Sequence, residues 1–196
     1  MPHLRIIAAC FIALAAPGVA AANEDVEPAP PHVRGWLELA RVQPVDLLMR
    51  AKLDSGALTS AIHAEILRGP TGRGYPADLP EGVEIDDGAA DDAETIVFAL
   101  ESRRGDRVVF EREIVRWVNI KLRTGGTTSR PVVNMAFCIG GVPVEGEVGL
   151  TDRDDFNYPL LVGRRMLADA GVMISPGETF TYESRCYEDG PRPNDD

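Results

Sequence analysis

The sequence predicts an all-β fold, a barrel or a sandwich, with one short helix near its C-terminus. Three observations carry this. Short apolar segments succeed one another, broken by glycine and proline, with little 3.6-residue periodicity running through them. Pairs of these segments flank turn-forming residues, as strands of hairpins do. Helical patterning is strongest in "RRMLADAG", 164–171, where Gly171 suits a C-cap. Many short strands with few helices must bury their apolar faces against one another.

The elements follow in order. "TIVFALES" and "DRVVFEREIV" flank Arg103-Arg104-Gly105-Asp106, which predicts a hairpin. "VRWVNIKLR" and "RPVVNMAFCI" flank "TGGTTS", a second hairpin with a longer loop. After the Gly140-Gly141 turn, "VPVEGEVGL" alternates again. A short helical turn is expected after Thr59. Residues 69–95, rich in Gly, Pro and Asp, read as a long mobile insertion. Residues 23–33, "NEDVEPAPPHV", read as a solvated linker, and 185–196 as a polar tail. The domain itself is then 34–184.

The first 22 residues differ in kind. One early Arg, an apolar run from Ile6 to Ala16, Pro17-Gly18 and small residues around Ala20 and Ala22 describe a secretory signal peptide cleaved before Asn23. The run is too short to span a membrane. The mature chain is expected in the periplasm or outside the cell, with no membrane insertion. Cleavage removes Cys10 and leaves Cys138 and Cys186, which an oxidising compartment could bridge. Cys138 in "VVNMAFCI" equally suits a buried thiol. A net charge of −11 disfavours sequence-blind nucleic-acid binding and docking on anionic lipid.

"RAKLDSGALTSAIHAEI", 50–66, holds the first candidate site. An apolar approach stops at Asp54-Ser55-Gly56 and resumes at Ala57. A D-S-G triplet suits many turns, but little room is left here for a solvated loop. "YPLLVGRRML", 158–167, is an apolar run ending in Gly163, followed by Arg164. By itself it is a buried strand feeding a helix.

Together, D-S-G near the start of the domain and hydrophobic-hydrophobic-Gly-Arg near its end resemble the retropepsin-like aspartic proteases. "AKLDSGALTSAIHA" is similar to the motif K-(I/L)-D-T-G-A-R-T-S-(A)-(L)-H-A of their bacterial members. That family is also labelled ATP-dependent zinc proteases and is often found with ATP-grasp glutamate ligases. The resemblance runs through Arg34-Gly35-Trp36, "SRPVV", "IGG" and "LTDRDDFNYPLLVGRRML", covering most of 34–176. Two positions depart: Ser55 stands for the family's Thr, and Leu58 for its Arg. The resemblance implies a closed retropepsin-like acid-protease β-barrel. It implies Asp54 as catalytic acid, with Ser55, Gly56, Gly163 and Arg164 supporting the active-site loops. An aspartic dyad needs two carboxyls, so the single D-S-G implies a homodimer acting on a peptide or protein substrate. The association with glutamate ligases suggests glutamyl amide linkages as an alternative target. A binding or assembly module of the same fold is the other alternative.

No cofactor or metal is expected. With His3 in the leader and His32 in the linker, the folded domain holds His63 alone. A catalytic zinc site wants about three ligands, commonly on an H-E-x-x-H helix, and the sequence has none. His63 reads as a structural histidine and "TDRDD", 151–155, as a solvated turn. No G-x-S-x-G occurs. Arg103, Arg104, Arg116, Arg123 and Arg130 could form an anion-binding wall.

Overall fold

The computed structural model describes residues 30–69, 84–87, 94–121, 125–187 and 193. The expected leader and residues 23–29 of the expected linker lie outside them. Strands dominate, and α1 (Arg164–Asp169) is the one helix among the described residues. Its start follows a strand-like Gly163, and Gly171 ends it at φ 63°, the left-handed geometry its C-terminus requires.

The main sheet contains eight strands: β1 (His32–Gln43), β2 (Leu47–Asp54), β3 (Ser60–His63), β8 (Arg116–Lys121), β9 (Thr127–Ile139), β10 (Val142–Thr151), β11 (Leu160–Gly163) and β12 (Val172–Thr179). Their order is β12-β1-β2-β11-β3-β10-β9-β8, and β1 also pairs with β9. β4 (Glu65–Arg68), β5 (Glu84–Asp87), β6 (Thr95–Glu101) and β7 (Arg107–Glu113) form a smaller sheet in the order β4-β6-β7-β5.

The expected hairpins are present. β6 and β7 join through Gly105 at φ 87°. β8 pairs with β9, and β9 turns into β10 at Gly140-Gly141, both left-handed. A two-residue turn with both φ positive suits the twist of antiparallel strands. β2 alternates buried and half-buried residues along its whole length, the pattern of a strand with one face inward. β6 is buried from Thr95 to Leu100 because both its faces are covered. Phe98 stacks on Phe110 in the main core, while Val97 and Ala99 pack with Val109 on the other side.

Three sequence expectations change. The segment after Thr59 is strand β3, because β11 pairs on one side and β10 on the other. Backbone partners on both edges outweigh a marginal local helix preference. Within 69–95, residues 84–87 form β5 along β7; 70–83 and 88–93 lie outside the described residues. β1 begins at His32, inside the expected linker, where it pairs with Val172.

The boundary at 184 also falls short. Cys186 forms a disulfide with Cys138, with their Cα atoms 5.6 Å apart, and ties the C-terminal segment to β9. A second anchor is polar and was not legible. Glu38, fully buried, accepts hydrogen bonds from the backbone N–H groups of Gly35 (2.8 Å) and Thr181 (3.1 Å). Arg34, also buried, donates from Nε to Gly140 O (2.6 Å) and lies over the Tyr182 ring. A buried carboxylate persists only when partners satisfy it, so this cluster fixes residues 181–182 against β1.

Candidate active site

β2 delivers Asp54, and β11 runs parallel beside it, placing Gly163 directly opposite Asp54. β3 returns along the other edge of β11. Two loops therefore cross: residues 55–59, leaving β2, and the β11–α1 junction at 163–165. Arg164 N donates to Ala57 O (2.8 Å), and Arg164 Nη1 donates to Gly56 O (3.3 Å). Gly163 N donates to Ser60 Oγ (3.0 Å). A Cβ at Gly163 would stand 2.5 Å from the Thr59 carbonyl, so only glycine allows this crossing. The sequence-predicted Asp54, Ser55, Gly56, Gly163 and Arg164 are brought together in one place.

The Asp54 carboxylate sits at the surface of this crossing, half-buried. Oδ1 accepts from Gly56 N (3.0 Å) and Ala57 N (3.2 Å), closing a tight turn. A Cβ at Gly56 would stand 3.2 Å from Oδ1 and press on the carboxylate. Oδ2 pairs with Lys52 Nζ at 2.9 Å. The hydrogen bond from the Lys52 ammonium holds the Asp54 carboxyl below the usual carboxylate range; burial opposes it, and the Gly56 and Ala57 N–H groups add to the lowering. Residues 55, 56, 58 and 59 of the loop are exposed, so the carboxylate lies among groups open to a further surface. Leu58, in place of the family's Arg, is one of them.

Lys52 sets the sign of a pH effect. It stabilises the ionised form of Asp54, so Lys52→Met should raise the pKa of Asp54. A carbon-detected NMR titration of the Asp54 carboxyl should move to higher pH, and the acid limb of any hydrolysis profile should move with it. An unchanged Asp54 titration would show that this ion pair does not form in solution.

His63 lies beside Asp152 and Asp154, a grouping that local sequence did not foreshadow. The two acids belong to the "TDRDD" turn, in which Asp152 Oδ1 accepts from Asp154 N (2.9 Å). These groups do not fit a catalytic zinc. His63 Nδ1 accepts from Arg153 N (2.9 Å), which puts the neutral ring's proton on Nε2, facing Asp154 at 3.5 Å. Neither nitrogen is then free to ligate, and both carboxylates are largely exposed. The proposed arginine wall also divides. Arg103 and Arg104 line one cleft, Arg116 and Arg130 another, and Arg116 is paired with Glu147 at 2.6 Å. Arg123 lies outside the described residues.

Residues 83–185 match the family model described as RimB-like, retropepsin-like aspartic endopeptidase RimB. The chain belongs to the RimB-like family. The matched stretch contains Gly163 and Arg164 but starts after Asp54, so the placement of Asp54 rests on the crossing itself. Two curated proteins similar to this chain, from Shewanella pealeana and Shewanella halifaxensis, are each named "Probable alpha-L-glutamate ligase". Each is 30% identical over 132 residues, covering 67% of this chain and 25% of its own length. The chain thus spans about a quarter of the curated relatives it matches. The crystal structure of Lpg0085 from Legionella pneumophila, described as a protein of unknown function (DUF785), is similar with a TM-score of 0.56 at 27% identity. That likeness covers 76% of this chain and 97% of the other.

Proposed function

We propose that this RimB-like chain is an exported aspartic peptidase whose active site forms when two copies bring their Asp54 carboxyls together. The observation that carries this reading is the Asp54–Gly163 crossing. It holds a carboxylate rigidly at the end of a strand, on an exposed loop whose remaining partner must come from elsewhere. The β1–β9 pairing, which links strands from separate parts of the main sheet, supports the closed barrel that belongs to this reading. The Cys138–Cys186 disulfide supports export to an oxidising compartment.

In the dimer, two carboxyls at close range share one proton, because both cannot stay ionised. The ionised Asp54 takes a proton from water, and the resulting hydroxide adds to the amide carbon. The protonated Asp54 of the second copy donates to the carbonyl oxygen. Collapse of the tetrahedral intermediate breaks the C–N bond as the nitrogen takes up a proton from the dyad. Gly56 lets the two loops approach, the Ser55 hydroxyl reaches across the axis, and Arg164 braces the loop beneath.

A glutamyl peptide is the substrate this reading favours. Lys52 beside Asp54 supplies a cation for a neighbouring side-chain carboxylate. Domains similar to this one occur within proteins named as glutamate ligases, which suits a hydrolase of glutamyl linkages. The ligase name belongs to chains four times as long as the match and is not carried over.

Hydrolysis of oligoglutamate and of a neutral peptide, followed by mass spectrometry across a wide protein concentration range, tests the proposal. Activity per mole should rise with concentration in step with dimer measured by sedimentation. A strict monomer that still cleaves would refute the shared dyad. A dimer that cleaves neither peptide would favour the binding module.

A further inference from the structure

Leu48, Arg50, Lys52 and Asp54 share one face of β2, and Arg41 stands opposite Leu48 on β1. Away from Asp54, this face is overhung by the β6–β7 turn and by the C-terminal segment. They enclose a cleft of about 390 Å³ lined by Arg41, Arg50, Arg103, Arg104 and Arg185. A second cleft of about 420 Å³ adjoins it and shares Arg50 and Arg103. Five guanidiniums thus gather in a chain of net charge −11.

Four acids line the two clefts: Asp46 and Asp106 in the first, Glu101 and Asp154 in the second. Asp46 pairs with Arg41, and Asp106 is held by Ser102 Oγ at 2.8 Å. Among the described residues, Arg50, Arg103, Arg104 and Arg185 have no carboxylate partner. Arg41 Nε is buried without a hydrogen-bond partner, and burial followed by the nearby Arg185 lowers the Arg41 pKa. The Arg41 and Arg185 charges repel, and the disulfide is one of the contacts that hold Arg185 beside Arg41. Cys186, next to Arg185, is bonded to Cys138, which faces Arg41 across the β1–β9 pairing. A cluster of like charges braced covalently is relieved when an anion enters it.

We propose that this cleft is an exosite for the carboxylates of an acidic peptide, held there while a more distant bond of the same peptide lies at Asp54. The proposal rests on the peptidase reading above. Arg50 is about 13 Å from Asp54 along β2, and Leu48, opposite Arg41, about 20 Å, at 3.3 Å per residue. An extended peptide therefore needs about four to six residues to reach from the scissile bond to the arginines, passing Lys52 on the way. The exosite makes the enzyme prefer long acidic chains and sets a minimum length for efficient cleavage.

Fluorescence anisotropy of labelled tri- and decaglutamate on the full Asp54→Asn protein tests this without turnover. The decamer should bind far more tightly than the trimer. Arg103→Gln/Arg104→Gln, Arg185→Gln and Cys138→Ser/Cys186→Ser should each weaken the decamer by about tenfold or more, since a charge-assisted hydrogen bond to a carboxylate exceeds 1.4 kcal/mol. Raised salt should weaken it further. Unchanged decamer binding in the arginine variants, with melting curves like the parent's, would overturn the exosite. So would equal binding of trimer and decamer. If the decamer fails to bind while inorganic phosphate does, the cleft takes small anions and the peptide assignment falls. Length-dependent binding to a protein that never cleaves would uphold the exosite and defeat the peptidase reading alone.

Discussion

Asp54→Asn should reduce hydrolysis by about 10²–10⁴-fold or more, the range general acid–base groups contribute, while barely changing stability. The geometry separates the two effects. The oxygen of an Asn side chain can still accept from Gly56 N and Ala57 N, so the turn is retained. What is lost is the Lys52 pair, in which both side chains are partly exposed. Such pairs contribute about 0–1 kcal/mol, which is at most roughly 2–4 °C in a chain of this size. In the dimer, the substitution also removes repulsion between two close carboxyls. The amide, however, can neither take a proton from water nor share one with its partner. Peptide hydrolysis and calorimetry on the same preparations check this. A large fall in melting temperature with hydrolysis unchanged would make Asp54 a structural turn residue and end the peptidase reading.

Reducing the Cys138–Cys186 bridge should lower stability by about 2–4 kcal/mol, or roughly 5–15 °C. The two cysteines are 48 residues apart in sequence, and a link across a loop of that length restricts the unfolded chain strongly. Cys138 is fully buried on β9, while Cys186 is exposed at the end of the segment. The bridge thus joins the core to a strip otherwise held by Glu38 and Arg34. Calorimetry with and without reductant, alongside Cys138→Ser/Cys186→Ser, measures the effect. Two free thiols titrated in the native protein, or no shift on reduction, would contradict it.

Patterns confined to neighbouring residues were legible in advance. Short apolar segments between turn residues gave β6 through β10 their strand character, and β8 and β10 alternate because side chains of a strand point to opposite faces with period two. Gly105 and Gly140-Gly141 marked their turns because few other residues tolerate positive φ. "RRMLADAG" displayed its helix and its glycine stop together. The D-S-G triplet and "LLVGRR" are separate signals in the sequence, and their resemblance to one family joins them.

What neighbouring residues could not show was decided by pairing between distant segments. β3 is a strand because β10 and β11 supply hydrogen bonds on both sides, and a four-residue segment has too little preference of its own to resist. Gly163 must be glycine because the Thr59 backbone crosses 2.5 Å from where its Cβ would be, a contact between residues 104 positions apart. Nothing in the spacing of Arg34 and Glu38 signals that both are buried; their partners, Gly140 and Thr181, come from elsewhere in the chain. The arginines of the exosite come from four separate segments and meet only because two strands, a turn and a disulfide converge. The sequence by itself determined the hairpin strands from β6 to β10, their glycine turns and the C-terminal helix, since these follow from local backbone preference and the burial of short apolar segments. Only the tertiary structure decided which charges stand together, because electrostatic interactions depend on distance in space and not along the chain.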